Sequence, residues 1–205
     1  MGNKVKVAVL VSGGGTNLQA IIDAEKSGLI EKGEVALVIA SRPEAGAIKR
    51  AENAGIDTYI VDKKTYDSTE EFEARLKELI DGHEIDLIVL AGYRTILSTD
   101  FVRYYDHRMI NLHPALIPAF SGEGMYGKKP HEAALARGVK VTGATVHFVN
   151  EEPDGGEIII QKAVNVEEGD TPETLKQRIR QQAEWLILPV AIAKLCRKIA
   201  QEKGL

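Results

Sequence analysis

VKVAVLVSGGGTNLQAII, residues 5–22, is the stretch of sequence that decides the fold. A run of mostly β-branched residues is followed by three consecutive glycines and then by apolar residues at helical spacing. Both faces of the first run are apolar, which is typical of a strand buried within a parallel sheet. The stretch therefore predicts the first strand, turn and helix of an α/β domain.

Strand-like and helix-like segments alternate through the rest of the first half. Further buried parallel strands are predicted at residues 35–40, 58–61 and 86–91. The helical patterns between the strands are NLQAIIDAEKSG, EAGAIKRAENAG and TEEFEARLKELIDG, and each of them ends in a glycine. This alternation predicts a parallel sheet with helices on both faces.

The second half of the chain changes character. A fifth strand is predicted at residues 108–113, followed by a long Gly/Pro-containing loop and a short helix, PHEAALARG. The strands predicted at residues 142–149 and 157–164 are joined by NEEPDGG, whose turn residues favour antiparallel pairing.

A long helix is predicted to close the chain. Thr171 is the expected cap and Pro172 the expected first helical residue. We expect Pro189 to interrupt this helix. Its apolar stripe is predicted to consist of Leu175, Ile179, Ala183 and Leu186.

Composition narrows the class of protein. The chain has 205 residues and a net charge of −4, with acidic and basic residues interspersed and no basic stripe of the kind that binds nucleic acid. Its single cysteine, Cys196, excludes disulfides within the chain and gives no support for a zinc site. No apolar segment approaches about 20 residues. We expect one compact domain in the cytoplasm, without a metal, a nucleic-acid partner or a membrane anchor.

The glycine turn is a candidate phosphate site. Glycines allow close approach of an anion, and the first N–H groups of the following helix can donate to it, which favours Gly15, Thr16 and Asn17 as ligands. A tight turn without binding explains the glycines almost as well. The turn is not a dinucleotide fingerprint, because Leu18 stands at the third glycine position. Arg42 could contact a 2′-phosphate, so an NADP-binding oxidoreductase remains an alternative.

Asn111 and His113 end the fifth strand and are candidates for catalysis. They alternate along the strand and therefore point to the same face, at the edge of the sheet where ligands of α/β proteins bind. Asp154 is their candidate partner, expected to raise the pKa of His113 above about 6.5 and to orient its ring. A histidine at a strand end and an aspartate before two glycines also occur without any catalytic role. Together the three predict stabilisation of an oxyanion and movement of a proton, as in acyl transfer.

At this point the chain resembles the phosphoribosylglycinamide formyltransferase family. The resemblance runs nearly end to end, through VLVSGGGTNLQAII, VLAGY with ILS, NLHPALIPAFSG, TGATVHFVNEEPDGG with IIIQ, and GDTPETL. It implies a single-domain, Rossmann-like three-layer sandwich with a mostly parallel seven-stranded sheet and an antiparallel C-terminal portion. It also implies transfer of a formyl group from 10-formyltetrahydrofolate to 5-phosphoribosylglycinamide in purine biosynthesis, without a metal.

The resemblance implies roles for individual residues. Asn111 and His113 would donate to the developing oxyanion, and Asp154 would hold the imidazole charged and relay a proton. The ribotide phosphate would bind at Gly15, Thr16 and Asn17. The remaining implied contacts are Glu184 with the ribotide, a lid at residues 119–130, and the folate pteridine against Asn111, the 150–154 loop and the backbone of Arg94, Thr95, Ile96 and Leu97.

Two residues depart from the family pattern. The basic residue that often stands at the position of Thr95 stands at Arg94 in this chain, and Thr69 occupies a position that is basic in the family. A side-chain contact to the folate tail is therefore not expected from the resemblance alone.

Other functions remain open at this level. Methionyl-tRNA formyltransferase and formyltetrahydrofolate deformylase share the three catalytic residue types, but each carries an additional domain that a chain of 205 residues disfavours. The phosphate loop favours a ribotide over water as acceptor. A ribotide-binding module without turnover is a further alternative. We expect a phosphate-binding half at about residues 1–105, a catalytic and folate-binding half at about 106–205, and a possible homodimer.

Overall fold

A seven-stranded sheet forms the centre of the protein, with strand order β3-β2-β1-β4-β5-β6-β7. The computed structural model describes residues 4–205. Strands β1 to β5 are parallel, and β6 and β7 are antiparallel to their neighbours, so the predicted sheet is confirmed. The strands are β1 Val5–Val11, β2 Gly33–Ala40, β3 Asp57–Ile60, β4 Leu87–Leu90, β5 Met109–His113, β6 Val141–Phe148 and β7 Ile158–Asn165.

Helices cover both faces of this sheet. They are α1 Thr16–Lys26, α2 Ala47–Asn53, α3 Thr69–Gly82, α4 Thr99–Tyr104, α5 Lys129–Arg137, α6 Pro172–Ile179 and α7 Trp185–Lys203. The apolar sides of α3 and α4 pack on one face, and those of the other helices pack on the opposite face. The three-layer prediction is therefore confirmed. Helix α4 was not predicted, although Ser98 caps it by accepting a hydrogen bond from the N–H of Phe101 at 3.1 Å.

Strand β3 corrects one expectation. It was predicted as a buried strand, but its residues are mostly exposed, including Ile60. The reason is its position, since β3 lies at the edge of the sheet and pairs only with β2. An apolar strand sequence does not distinguish an edge from an interior position.

The closing helix is interrupted earlier than predicted. Thr171 and Pro172 begin α6 as expected, but a π-helical turn at Arg180–Glu184 then separates α6 from α7. Pro189 lies inside α7, as the fifth residue of that helix, rather than at a break. The wider π turn rotates the apolar stripe, so Leu186 is 50% exposed and Ile187 is buried in its place.

The sheet topology creates a crevice at the carboxyl ends of β1 and β4. The chain runs outward from β1 in both directions along the sheet, which is the arrangement at which α/β proteins bind ligands. Ser12 follows β1 and Arg94 follows β4. The backbone N–H of Arg94 donates to the hydroxyl of Ser12 at 2.9 Å, which joins the two segments along one side of the crevice. Across residues 4–205, no helix combines the length and the apolar character needed to span a bilayer.

Candidate active site

Three residues that are distant in sequence meet at the end of β5. The Nδ1 atom of His113 lies 3.2 Å from Oδ2 of Asp154, and Nδ2 of Asn111 lies 3.4 Å from Oδ1 of the same carboxylate. Asn111 and His113 reach this point because they alternate along β5, and Asp154 reaches it from the turn between β6 and β7. The structure therefore brings together the three residues predicted for catalysis.

The turn that carries Asp154 has an unusual backbone. Asp154 adopts a φ of 56°, a left-handed conformation that aspartate tolerates better than most residues. Two residues later, a Cβ on Gly156 would lie 1.8 Å from the carbonyl oxygen of Phe148, so only glycine fits there. The aspartate and the second glycine of NEEPDGG thus both serve to place the carboxylate beside the end of β5.

His113 is almost entirely buried, with 3% of its surface exposed. Burial lowers its pKa, while the charge of Asp154 and the hydrogen bond to the carbonyl of Phe120 act in the opposite direction. The expectation that Asp154 would raise the pKa of His113 above its ordinary value is therefore wrong, because desolvation outweighs the carboxylate. The Nε2 atom of His113 lies 2.8 Å from the carbonyl oxygen of Phe120, to which it donates.

The carboxylate of Asp154 is ionised. Burial by itself raises its pKa, but the hydrogen bond with His147, the charge of His113 and the N–H of Gly122 together bring the pKa below its ordinary value. The Gly122 N–H donates to Oδ2 at 2.9 Å. A buried carboxylate surrounded by donors on several sides is held in one orientation, which is what an orienting partner for His113 requires.

His147 belongs to the same cluster and was missed by the sequence analysis. It lies opposite Asn111 in the antiparallel pair of β5 and β6, and its Nε2 is 3.2 Å from Asn111 Nδ2 and 3.4 Å from Asp154 Oδ1. The sequence analysis paired β6 with β7 but not with β5. The signal was present in TGATVHFV, where Thr145 and His147 alternate, so that they share one face of the strand.

Thr145 forms hydrogen bonds with the loop that follows β5. It lies opposite His113 in the register, and its hydroxyl donates to the carbonyl of Ala115 at 2.7 Å and accepts from the N–H of Ile117 at 3.2 Å. Both bonds tie the loop after β5 to β6. The side chain therefore fixes the path of the backbone immediately after His113.

The segment predicted as a lid contacts the cluster directly. Its first residues supply the Phe120 carbonyl to His113 and the Gly122 N–H to Asp154. Phe120 has a φ of 53°, a strained conformation for an aromatic residue. Further along, Lys128 forms an ion pair with Glu173 of α6. The first residues of this segment therefore lie against the cluster, and its end lies against α6.

The glycine turn places the N-terminus of α1 at the other end of the crevice. Gly15 is the N-cap of α1 with a φ of 74°, and no side chain caps the helix. A Cβ on Gly15 would lie 2.6 Å from the Cα of Ala47, so the glycine is also required for packing of α1 against α2. The N–H groups of Thr16 and Asn17 occupy the first turn, where a helix has donors to offer.

Glu184 lies at this end of the crevice and is buried. Only 5% of its surface is exposed, and its Oε2 accepts a hydrogen bond from Nδ2 of Asn17 at 2.9 Å. Burial raises its pKa, against the lowering effects of that bond and of the charges on Arg180 and Lys176. Asn17 and Glu184, two of the four residues predicted to contact the ribotide, are therefore in contact with each other.

The predicted folate segment follows β4 and is largely open. Within residues 4–205, the backbone N–H groups of Thr95, Ile96 and Leu97 have no hydrogen-bond partner, whereas that of Arg94 is taken by Ser12. Ile96 is 85% exposed. Arg42, the residue that kept a dinucleotide as an alternative, donates from Nε to the carbonyl of Ser12 at 2.6 Å.

Comparison with known proteins agrees with this arrangement. A family model described as formyl transferase matches residues 5–192. The trifunctional purine biosynthetic protein adenosine-3 of Gallus gallus is 43% identical over 93% of this chain, although the chain spans only 18% of that protein's length. The phosphoribosylglycinamide formyltransferase of Escherichia coli K12 is 40% identical, and the match covers 92% of this chain and 86% of that protein.

A solved structure extends the comparison to three dimensions. Glycinamide ribonucleotide transformylase 1 from Symbiobacterium toebii superposes with a TM-score of 0.89 at 41% identity, covering 97% of this chain and 90% of the other. By sequence and by structure, the chain belongs to the formyl transferase family and, within it, to the phosphoribosylglycinamide formyltransferases.

Proposed function

We propose that this chain transfers the formyl group of 10-formyltetrahydrofolate to the amine of 5-phosphoribosylglycinamide, giving formylglycinamide ribonucleotide and tetrahydrofolate in purine biosynthesis. The observation that carries the proposal is the contact of Asn111 and His113 with the Asp154 carboxylate at the end of β5. Family membership supports the identity of the two substrates.

The three residues suit formyl transfer by direct attack of the amine. As the amine nitrogen bonds to the formyl carbon, the carbonyl oxygen gains negative charge. The Asn111 amide donates to this oxygen, and so does the Nε2–H of His113 once it has left the carbonyl of Phe120. The Asp154 carboxylate and the oxyanion both favour a protonated ring, so the low pKa of the resting imidazole rises as this charge develops.

The reaction also needs a path for one proton. The attacking amine loses a proton, and N10 of the folate gains one as the bond between N10 and the formyl carbon breaks. Asp154 is ionised before the reaction and can pass this proton through a water molecule. No side chain of the protein needs to form a covalent bond with the formyl group.

Substrate binding follows from the two ends of the crevice. We assign the ribotide phosphate to Gly15, Thr16 and Asn17, and the ribose hydroxyls to Glu184. The open N–H groups of Thr95, Ile96 and Leu97 suit the flat pteridine, with the 150–154 loop and Asn111 on its other side. On this assignment residues 1–105 supply the phosphate site, residues 106–205 supply the catalytic groups, and the folate lies between them.

A spectrophotometric assay with 10-formylfolate tests this function. We expect absorbance to rise only when 5-phosphoribosylglycinamide is also present, and the formylated ribotide to be recovered by mass spectrometry. A rise without the ribotide would instead identify a hydrolase. Heating the protein with NADP tests the oxidoreductase alternative, which predicts a higher melting temperature that we do not expect.

Three finer predictions accompany the proposal. We expect the enzyme in the cytoplasm, and we expect it to act without nucleic acid or membrane. A homodimer is a further prediction, to be measured by sedimentation. None of the three affects the chemistry at Asp154.

A further inference from the structure

Glu73 is a buried carboxylate that the proposed chemistry does not use. It lies on α3, and only 7% of its surface is exposed. Its Oε1 accepts a hydrogen bond from the backbone N–H of Ser98 at 2.6 Å, and its Oε2 accepts one from the Ser98 hydroxyl at 2.6 Å. Burial of a carboxylate is costly unless hydrogen bonds compensate for the lost water. Both of these bonds come from one residue, so they fix the position and the orientation of that residue.

Ser98 marks the end of the segment that we assign to the folate. It directly follows Leu97, and its hydroxyl also accepts from the N–H of Phe101 at 3.1 Å, which caps α4. The hydroxyl therefore donates to Glu73 and accepts from α4 at the same time. Through Ser98, the carboxylate joins α3 to the point where the folate segment stops and α4 begins.

The other end of this segment is also held in place. The N–H of Arg94 donates to the hydroxyl of Ser12 at 2.9 Å, and Ser12 is 2% exposed. Leu97 packs against the apolar cluster to which α3 contributes. In the part of the chain that the structure describes, the N–H groups of residues 95–97 have no backbone partner. The segment is thus a short span that is fixed at both ends and carries open donors between them.

We propose that Glu73 is a positioning residue for the folate site, which holds Ser98 so that the N–H groups of residues 95–97 keep the arrangement that a flat heterocycle requires. The inference rests on the proposed function and deepens it, since it names a residue that sets the affinity for folate without contacting folate. The effect is confined to one of the two substrates, because the ribotide is assigned to the N-terminus of α1.

Preorganisation is the physical reason for this effect. Ordering a flexible backbone segment costs conformational entropy, and a ligand that must order its own site binds more weakly for that reason. In the wild type this ordering takes place during folding, because Glu73 fixes Ser98 before any ligand is present. Without the carboxylate, the segment would be held at Arg94 but not at its other end, and its open N–H groups would no longer be spaced in advance.

Calorimetry with tetrahydrofolate under anaerobic conditions tests the inference without turnover. We expect Glu73→Gln and Ser98→Ala each to weaken binding about five- to tenfold, the scale of one lost charge-assisted hydrogen bond. Ser98→Thr keeps a hydroxyl that can donate to Glu73 and cap α4, so its affinity should return to within about twofold of the wild type. The affinity for ribose 5-phosphate should stay within about twofold of the wild type in all three variants.

The matched control is Tyr105→Phe, which removes a different hydrogen bond between α4 and α3. The Tyr105 hydroxyl, at the C-terminal end of α4, donates to Oδ1 of Asp81 in α3 at 2.9 Å. This variant should be less stable in urea unfolding but should keep the wild-type affinity for tetrahydrofolate. If Tyr105→Phe weakened folate binding as much as Glu73→Gln, the role of Glu73 would be to hold the two helices together, and the inference would be overturned.

Steady-state kinetics separate this inference from the proposed function. In formyl transfer, Glu73→Gln should raise the KM for 10-formyltetrahydrofolate about five- to tenfold, with kcat and the KM for the ribotide within about twofold of the wild type. Wild-type folate affinity and folate KM in both Glu73→Gln and Ser98→Ala would overturn the inference and leave the function intact. Tetrahydrofolate binding that weakens in these variants, without any formyl transfer by the wild type, would overturn the function and leave the positioning role supported.

Discussion

The two ends of the crevice differ in how completely the protein satisfies its own polar groups. At the end of β5, the Asp154 carboxylate has donors on several sides, from His113, Asn111, His147 and the Gly122 N–H. At the N-terminus of α1, within residues 4–205, the Oδ1 atom of Asn17 is buried without a partner. One end is complete before any substrate binds, and the other is not.

This difference suggests a division of labour between the ends. Groups that act on a reacting carbonyl must be oriented in advance, since reorganisation during the reaction would raise the barrier. Groups that recognise an anion gain selectivity when they remain unsatisfied until that anion arrives. We call the cluster of Asn111, His113 and Asp154 the reaction end, and the N-terminus of α1 with Glu184 the anion end. Substitutions at the reaction end should therefore change kcat, and substitutions at the anion end should change the KM for the ribotide.

Asp154→Asn should have the largest effect. It removes the charge that favours a protonated His113 and replaces a carboxylate oxygen beside one ring nitrogen with an amide. We expect kcat to fall by at least about 10²-fold, the scale of one lost oxyanion-stabilising group, with both KM values within a few-fold of the wild type. Single-turnover kinetics with saturating ribotide measure the chemical step directly.

The control for this substitution is Asp67→Asn, which makes the same chemical change at an exposed position. Circular dichroism and thermal unfolding should show that both variants fold. Turnover of Asp154→Asn at the wild-type rate would show that Asp154 takes no part in the chemistry. The difference in hydrogen bonding between the two ends of the crevice would then not reflect a difference in role.

Asp170→Asn tests how much the ion pair that anchors α6, the helix leading to the anion end, contributes to the stability of the fold. The buried Asp170 carboxylate forms a bidentate ion pair with Arg178, with one contact of 2.7 Å, and accepts the N–H of Glu167 at 2.8 Å. The Arg178 hydrogen bonds, as the main cause, lower the pKa of Asp170 to about 2. We expect the variant to lose about 2 kcal/mol of unfolding free energy at pH 7, because one partner of a buried pair is removed.

The pH dependence of this loss has a definite sign. A carboxyl group whose pKa is depressed in the folded state stabilises the fold above its unfolded pKa of about 3.9, and that contribution disappears as pH falls toward 2. The stability difference between wild type and Asp170→Asn should therefore be constant from pH 7 to pH 5 and shrink below pH 4. Urea unfolding at a series of pH values measures it, and a difference that persists at pH 2 would contradict the ion-pair explanation.

His147→Leu should have an intermediate effect at the reaction end. The substitution keeps an apolar volume in the core but leaves Asn111 and Asp154 without the imidazole that contacts both. We expect kcat to fall about tenfold, equivalent to one hydrogen bond of about 1.4 kcal/mol, with little change in either KM. His107→Asn is the matched control, since His107 is exposed and asparagine tolerates its left-handed backbone. An unchanged kcat would make His147 a packing residue only.

Most of the fold could be predicted from the sequence because it depends on local patterns. The apolar run of β1, the glycine turn and the periodicity of α1 and α3 each act within about 15 residues, and the structure confirms them. The exposure of β3 could not be predicted, since it depends on the order of strands in the sheet. The π turn at Arg180–Glu184 was also missed, because its extra residue per turn changes no residue type that marks a break.

Part of the candidate site could also be predicted, because it depends on local sequence patterns. Asn111 and His113 share a strand, and their common direction follows from alternation alone. Asp154 was predicted from its place in the turn NEEPDGG, and the family resemblance supports that choice. His147 depends on the pairing of β5 with β6, and the sign of the pKa shift of His113 depends on burial from all sides. Neither can be read from residues that are neighbours in sequence.

Glu184→Gln should have the smallest effect and distinguishes the ribose from the phosphate at the anion end. Glutamine keeps the volume of the buried side chain and an oxygen that can accept from Asn17, so we expect no loss of folding. It removes the negative charge beside Arg180 and Lys176, which should leave the affinity for inorganic phosphate unchanged or slightly higher. If Glu184 binds the ribose hydroxyls, the affinity for ribose 5-phosphate should fall about three- to fivefold, the scale of one hydrogen bond that loses its charge.

Calorimetry with inorganic phosphate and with ribose 5-phosphate measures both affinities. The control is Glu202→Gln, on the exposed end of α7. Equal changes in the affinity for both ligands would place Glu184 at the phosphate instead. The Glu184 carboxylate would then neutralise the positive charge of the anion end until the phosphate displaces it.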